Sequence, residues 1–268
     1  MTRKICFKAA VLFWAAVFFI FPLRLVDGKG EHPREKLGAY TTYFSEKDGG
    51  RCRNIALAAE RIDGVALQPY GELSFNALVG KRTRENGFFE AKIIAGGEFV
   101  VGVGGGVCQV STTLYNAALL SGLAVVEVHP HSLAVGYAPP SRDAMVSSES
   151  DLKLFNPFDE TVYFSVKTGN GAITVTVRGE KTGRSYDIES RTVAYIPPPP
   201  PEEVTDGKLI REGRDGVKSE AYLERYQGDK LVERKRLRTD EYRPIQGIIV
   251  KKVGEPTIKI ASNDCLFS

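Results

Sequence analysis

Five consecutive prolines, Pro197 to Pro201, interrupt the last third of the chain. A proline has no N–H to donate and fixes φ near −65°, so such a run fits neither a helix interior nor a central strand. An extended polyproline segment is the expected outcome, and a linker is placed at residues 191–201. The chain before it has the length of one medium domain and the chain after it that of a small module. Of the 268 residues 43% are hydrophobic and 26% charged, which is ordinary globular composition. The formal net charge of only +3 supplies no field that argues for nucleic acid.

At the other end, Arg3, Lys4 and Lys8 precede an apolar run from Ala9 to Leu23, the pattern of a signal peptide. No small-x-small cleavage site follows, so residues 1–28 read either as a signal peptide or as an uncleaved N-terminal membrane anchor. Either way the protein is expected to be exported and to work outside the cytoplasm, in the wall or at the membrane. Residues 29–40, charged and carrying glycine and proline, read as a spacer. Beyond Cys6 the cysteines are Cys52, Cys108 and Cys265, an odd number that leaves at least one thiol free or paired between molecules.

Between spacer and linker the hydrophobic periods alternate between helix and strand. Ile55, Ala58, Ala59 and Ile62 fall at i, i+3, i+4, i+7 before the stop at Asp63 and Gly64. Residues 71–76 are briefly β-prone, and Gly96 and Gly97 sit where a turn joins segments 92–95 and 98–103. After Gly104, Gly105 and Gly106, the residues Val107, Val110, Leu114, Ala117 and Ala118 recur at helical spacing until Gly122. A β-branched strand at 124–128 and a hairpin of 161–166 with 172–177 complete the α+β pattern. Residues 202–254 read as a small all-β module.

Cys108 therefore falls in the first turn of a helix, where unpaired N–H groups and the helix dipole favour a thiolate. That makes it a candidate nucleophile; a small buried cysteine that only packs is the alternative. A nucleophilic thiol needs a proton carrier, and the folded part offers His129 and His131. A helix from 107 to 121 is roughly 20 Å long and a strand from 124 to 131 roughly 25 Å, so the strand's end returns to the helix start. His131 is the preferred partner and His129 the second choice, because Pro130 bends the chain between the rings and Ser132 follows as an orienting group. A rival reading has both histidines and Cys108 bind zinc with Asp143 or Asp151. Ser111, Thr112 and Tyr115 lie on the stripe below Cys108 and Arg142 suits a carboxylate, which nominates all four for substrate binding, with Gly105 and Gly106 supplying backbone donors. No Gly-Lys-Ser/Thr follows the glycines, so they are not a phosphate loop.

These motifs resemble the VanW family over residues 43–156: the segment 53–59, Phe75 and Asn76, residues 80–83, the glycine-cysteine segment 104–116, His129 to Ser132, Arg142 with Asp143, and 151–156. The resemblance implies a VanW-like core at 41–190 in which the cysteine-bearing helix packs on antiparallel strands. Some domains of this kind are L,D-transpeptidases of peptidoglycan whose nucleophile is the cysteine of the Gly-Gly-Gly-x-Cys segment, here Cys108. On that basis the chain is expected to act on peptidoglycan stem peptides, with no cofactor and no metal. A non-catalytic wall-binding protein that alters glycopeptide susceptibility is the alternative. Gly207, Gly213, Gly216, Gly228 and Gly254 are spaced as in G5 domains, which implies a wall-glycan-binding module at 202–256 before a tail at 257–268.

Overall fold

The computed structural model describes residues 35–204 and 211–250. The export segment, the spacer up to residue 34, Gly207, Gly254, Cys6, Cys265 and the tail lie outside the described residues. Among the described residues no helix is long and apolar enough to cross a membrane.

The architecture is α+β with many strands and few helices. The centre is a four-stranded antiparallel sheet made of β1 (Glu35–Tyr43), β2 (Ala66–Leu67), β8 (Val162–Gly169) and β9 (Ala172–Gly179), in the order β1-β9-β8-β2. The turn between β8 and β9 is Asn170–Gly171, both at positive φ, as a two-residue hairpin requires. Along β9 the side chains alternate, and Ile173, Val175 and Val177 are fully buried. Each such aliphatic side chain contributes about 1.5–3 kcal/mol by leaving water.

Against this sheet lie α1 (Gly49–Glu60), capped by Asp48 accepting from the Arg51 N–H at 3.0 Å, and α3 (Val107–Leu120). A helix buried all round belongs inside a core, and α3 touches β1, β9 and α1. Its buried polar residues are satisfied by neighbouring segments: Thr113 bonds Thr42 at 2.8 Å, and Gln109 donates to Thr42 Oγ1 at 3.0 Å and to the Tyr43 carbonyl at 2.9 Å. Smaller pieces surround this centre. They are β3 (Glu72–Ser74), α2 (Phe75–Val79), the hairpin of β4 (Glu90–Ala95) and β5 (Glu98–Val103), β6 (Ala124–Glu127) and β7 (Lys153–Phe155), with β3-β7-β6 forming one sheet.

Past the core run β10 (Arg184–Ile196), β11 (Glu202–Val204), β12 (Gly216–Gln227), β13 (Lys230–Tyr242) and β14 (Ile248–Val250). β10 pairs with β12 from Arg184↔Gln227 to Ile196↔Gly216, so residues 191–196 are strand and not linker. The reason is local: Val193, Tyr195 and Ile196 are strand formers, and the ladder stops only where the prolines remove the donors. The proline run thus joins β10 to β11 as a loop. Residues 35–40, taken as spacer, likewise belong to β1. The β10-β12-β13 sheet is tied to the core by a 2.7 Å bond between the Ser141 and Ser219 hydroxyls and a 2.7 Å bond from the Ser141 N–H to the Tyr242 hydroxyl.

Candidate active site

The chain enters α3 through Gly106, whose φ of +108° is open to glycine and strained for other residues. Gly105 lies so close to β4 that a Cβ would stand 2.6 Å from the Lys92 carbonyl oxygen. This tight entry sets Cys108, partly exposed, in the first helical turn, with its thiol bonded to the Val146 carbonyl at 3.4 Å.

The opposite wall is the stretch 129–147. Three side chains of α3 fasten it: Ser111 Oγ donates to the Ala144 carbonyl at 2.6 Å, Thr112 Oγ1 accepts from the Ala144 N–H at 2.9 Å, and Asn116 Nδ2 donates to the Arg142 carbonyl at 2.7 Å. Asp143 is thereby fixed beside His131. Its Oδ2 accepts from the His131 backbone N–H at 2.7 Å and lies 2.6 Å from ring Nδ1. With Nδ1 occupied, Nε2 is the ring nitrogen left for the Cys108 thiol, whose charged form His131 favours. The other carboxylate oxygen of Asp143 accepts from the Tyr242 hydroxyl and from Arg238 Nη2 at 3.2 Å, while Arg238 Nη1 reaches the Asp143 carbonyl at 2.9 Å.

The charges follow from these contacts. Burial pushes the Cys108 thiol up, but the hydrogen bond and charge of His131, aided by Arg82, outweigh it and hold the thiol below its ordinary value. Burial alone depresses His131, yet its bonds to Asp143 and Cys108 raise it to about 9. Burial also disfavours the Asp143 anion, and His131, Arg238 and Tyr242 reverse that and keep it low. The contacts therefore favour a thiolate, an imidazolium and a carboxylate in sequence. Tyr137 stands edge-on to His131 with ring centroids 6.5 Å apart, and burial with the Cys108 and Asp143 charges keeps its phenol neutral.

Other nominated residues have different work. His129 bridges Met145 and pairs with Glu127 at 3.0 Å, away from the thiol, because β6 ends at Glu127 and the chain beyond is too irregular to place two rings on one face. Arg142 is an internal brace: it donates to Asn116 Oδ1 at 2.8 Å and the Ile188 carbonyl at 3.2 Å, and lies over the Tyr40 ring. Ser111, Thr112 and Tyr115 are buried; the first two hold residue 144, and Tyr115 meets Arg238. Gly105 and Gly106 shape the entry, and the Gly105 carbonyl accepts from Asn54 Nδ2 at 2.9 Å. Among the described residues no group of three His, Cys, Asp or Glu side chains is placed to hold a metal, and Asp151 is bound by Ser74 and the Asn76 N–H.

Two surface clefts, one lined by residues 43–47 with 170–171 and the other by residues including Arg53, Phe88 and Glu90, are not lined by Cys108 or His131. Sequence reasoning missed Arg82, Tyr137, Arg238 and Tyr242, and weighed Asp143 only as a metal ligand. Only Arg82 carried a signal, inside the segment 80–83.

The model of the family described as VanW like protein matches residues 50–178. The chain is similar to "Uncharacterized protein YoaR" of Bacillus subtilis (strain 168), 38% identical over 174 residues, 63% of this chain and 55% of that protein. It is also similar to "Vancomycin B-type resistance protein VanW" of Enterococcus faecalis (strain ATCC 700802 / V583), 24% identical over 151 residues, 53% of this chain and 54% of that protein. The chain thus spans about half the length of these curated relatives. No solved structure matches it significantly. The stretch that matches the VanW like protein model, residues 50–178, carries Cys108, His131 and Asp143 together.

Proposed function

We propose that this chain is an exported cell-envelope protein whose Cys108 transfers an acyl group between peptidoglycan stem peptides, an L,D-transpeptidase type of reaction. The observation that carries this reading is a thiol at a helix start whose ionisation His131 favours, with Asp143 hydrogen-bonded to His131. Nucleophile, proton carrier and orienting carboxylate are the parts that acyl transfer needs. The apolar segment at 9–23 supports export, and the vancomycin resistance in a relative's name supports a role at the wall.

The thiolate attacks a stem-peptide carbonyl and forms a C–S bond. The backbone N–H of Cys108 and the Arg82 guanidinium hold the oxyanion. As the C–N bond breaks, His131 gives its proton to the departing amine of the terminal residue. An amine of a second stem then loses a proton to His131, attacks the thioester and releases Cys108. Asp143 keeps the imidazole in one tautomer throughout. Wall glycan is the partner proposed for the strands after β9, on the strength of the G5-like glycine spacing, and the N-terminal segment would meet the membrane if it is retained.

The test is to incubate the full chain with tetrapeptide muropeptides. Release of the terminal amino acid with matching cross-linked dimer, abolished in Cys108→Ala, is expected. Binding of the muropeptide without release would favour the second reading, a wall-binding protein that alters glycopeptide susceptibility, which the name of the Enterococcus relative also supports.

A further inference from the structure

We propose that activation of Cys108 is completed from outside the stretch that matches the VanW like protein model: Arg238 and Tyr242, both on β13, are positioning residues that hold Asp143 in place and, through it, His131. This inference rests on Cys108 being the reactive thiol. Asp143 is 1% exposed, and its two oxygens have their hydrogen-bonding capacity divided between two parts of the chain. Oδ2 serves His131 twice, while Oδ1 takes the Tyr242 hydroxyl and Arg238 Nη2. A carboxylate with four donors has its acceptor sites filled and no room to rotate. Tyr242 also accepts the Ser141 N–H, so one phenol pins residues 141 and 143 together. Arg238 grips both the backbone and the side chain of Asp143, and its own Nε is anchored on Asp240. Those partners lie 95 and 99 positions away from Asp143, beyond the stretch ending at residue 178.

The charged and titratable groups around the pair are Asp143, Asp240 and Arg238 on one side and Arg82 on the other, with Asp151 facing Arg82. Tyr137 under Arg51 and Tyr115 beside Arg238 are neutral phenols. Removing Arg238 takes one positive charge from this set. A buried cluster that loses a cation relieves the excess negative charge by taking up a proton, and the thiolate, a stronger base than the carboxylates, is where the proton goes. Removing the Tyr242 hydroxyl takes no charge, so its effect is smaller and comes through looser placement of Asp143.

The experiment is the rate of iodoacetamide labelling at Cys108 against pH, read by mass spectrometry of the Cys108 peptide in the full chain. The probe needs no peptidoglycan, so its result is separable from failure of the acyl-transfer reading. In Arg238→Gln the inflection should move up by about one unit, roughly tenfold slower labelling on the acid limb. Tyr242→Phe should move it up by about half as much, and Arg238→Lys should restore most of the loss. Ser219→Ala, which loosens the same contact between sheet and core through Ser141 without touching Asp143, should leave the inflection where it is. Unshifted profiles in both Arg238→Gln and Tyr242→Phe would overturn the proposal, as would an equal shift in Ser219→Ala or a wild-type thiol titrating like free cysteine. If Arg238→Gln does not fold, Tyr242→Phe alone decides by the same criteria.

Discussion

Two histidines two residues apart meet carboxylates in opposite surroundings. His129 pairs with Glu127 at the rim, where Lys153 bonds the other Glu127 oxygen at 2.8 Å and the cluster stays in contact with water. His131 pairs with Asp143 in the interior, against a thiol and beneath Arg238 and Tyr242. A histidine on a carboxylate is a surface hydrogen bond in one place and an activating device in the other. What differs is burial, because low polarity magnifies each charge, and the presence of a group whose ionisation the imidazolium can change.

The largest effect should come from removing the strands that roof the buried cluster. A chain ending at Tyr195 loses Arg238, Tyr242 and the partners of β10, and is expected to lose its cooperative thermal transition or, if still folded, to label Cys108 like a free thiol. A cooperative melt with an unshifted labelling profile would show that the cluster needs nothing from those strands. Next, His131→Ala should slow acylation or labelling of Cys108 by roughly 100-fold or more, whereas His129→Ala should change it by about twofold or less. Equal losses would erase the distinction between the two histidines.

Stability separates the clusters further. Asp143→Asn leaves Arg238 and His131 facing a neutral amide and is expected to cost about 3–5 kcal/mol in urea unfolding, while Glu127→Gln should cost less than about 1 kcal/mol. The pH dependence should also differ in sign. His131 is raised, so its contribution is complete below its unfolded value, near 6.5, and is lost as pH climbs through about 9. Glu127 is held down to about 2 by Lys153 first and His129 second, so its contribution is complete above its unfolded value of 4.5 and is lost only as pH falls through about 2. Stability measured from pH 2 to 10 should therefore show an acid loss reduced by Glu127→Gln and an alkaline loss reduced by His131→Ala.

Local features of the chain were legible. The glycine triplet and the 3.6-residue apolar period fix where α3 begins, and so put Cys108 in its first turn. The Gly96–Gly97 and Asn170–Gly171 turns fix two hairpins for the same reason, since positive φ is written into the residue types. The structure sets His131 on Asp143 and His129 on Glu127, and the extended strand used to choose between the two histidines stops at Glu127. What stayed hidden is long-range. Nothing near Asp143 in sequence announces Arg238 or Tyr242, and a buried helix that shows serine, threonine and asparagine to its neighbours looks, in sequence, like one that shows them to a substrate. Arg142 misled because its neighbour Asp143 belongs to the site while its own guanidinium turns inward onto Asn116.

The central claim, that Cys108 is the acyl-accepting nucleophile, is tested most directly by intact-protein mass spectrometry after acid quenching of the full chain with a tetrapeptide muropeptide. The account expects a mass increase equal to the muropeptide less its terminal amino acid, mapped to Cys108, present in Cys52→Ala and absent in Cys108→Ala. An adduct that persists in Cys108→Ala, or a wild-type protein that consumes the muropeptide with its mass unchanged at every time point, would contradict it.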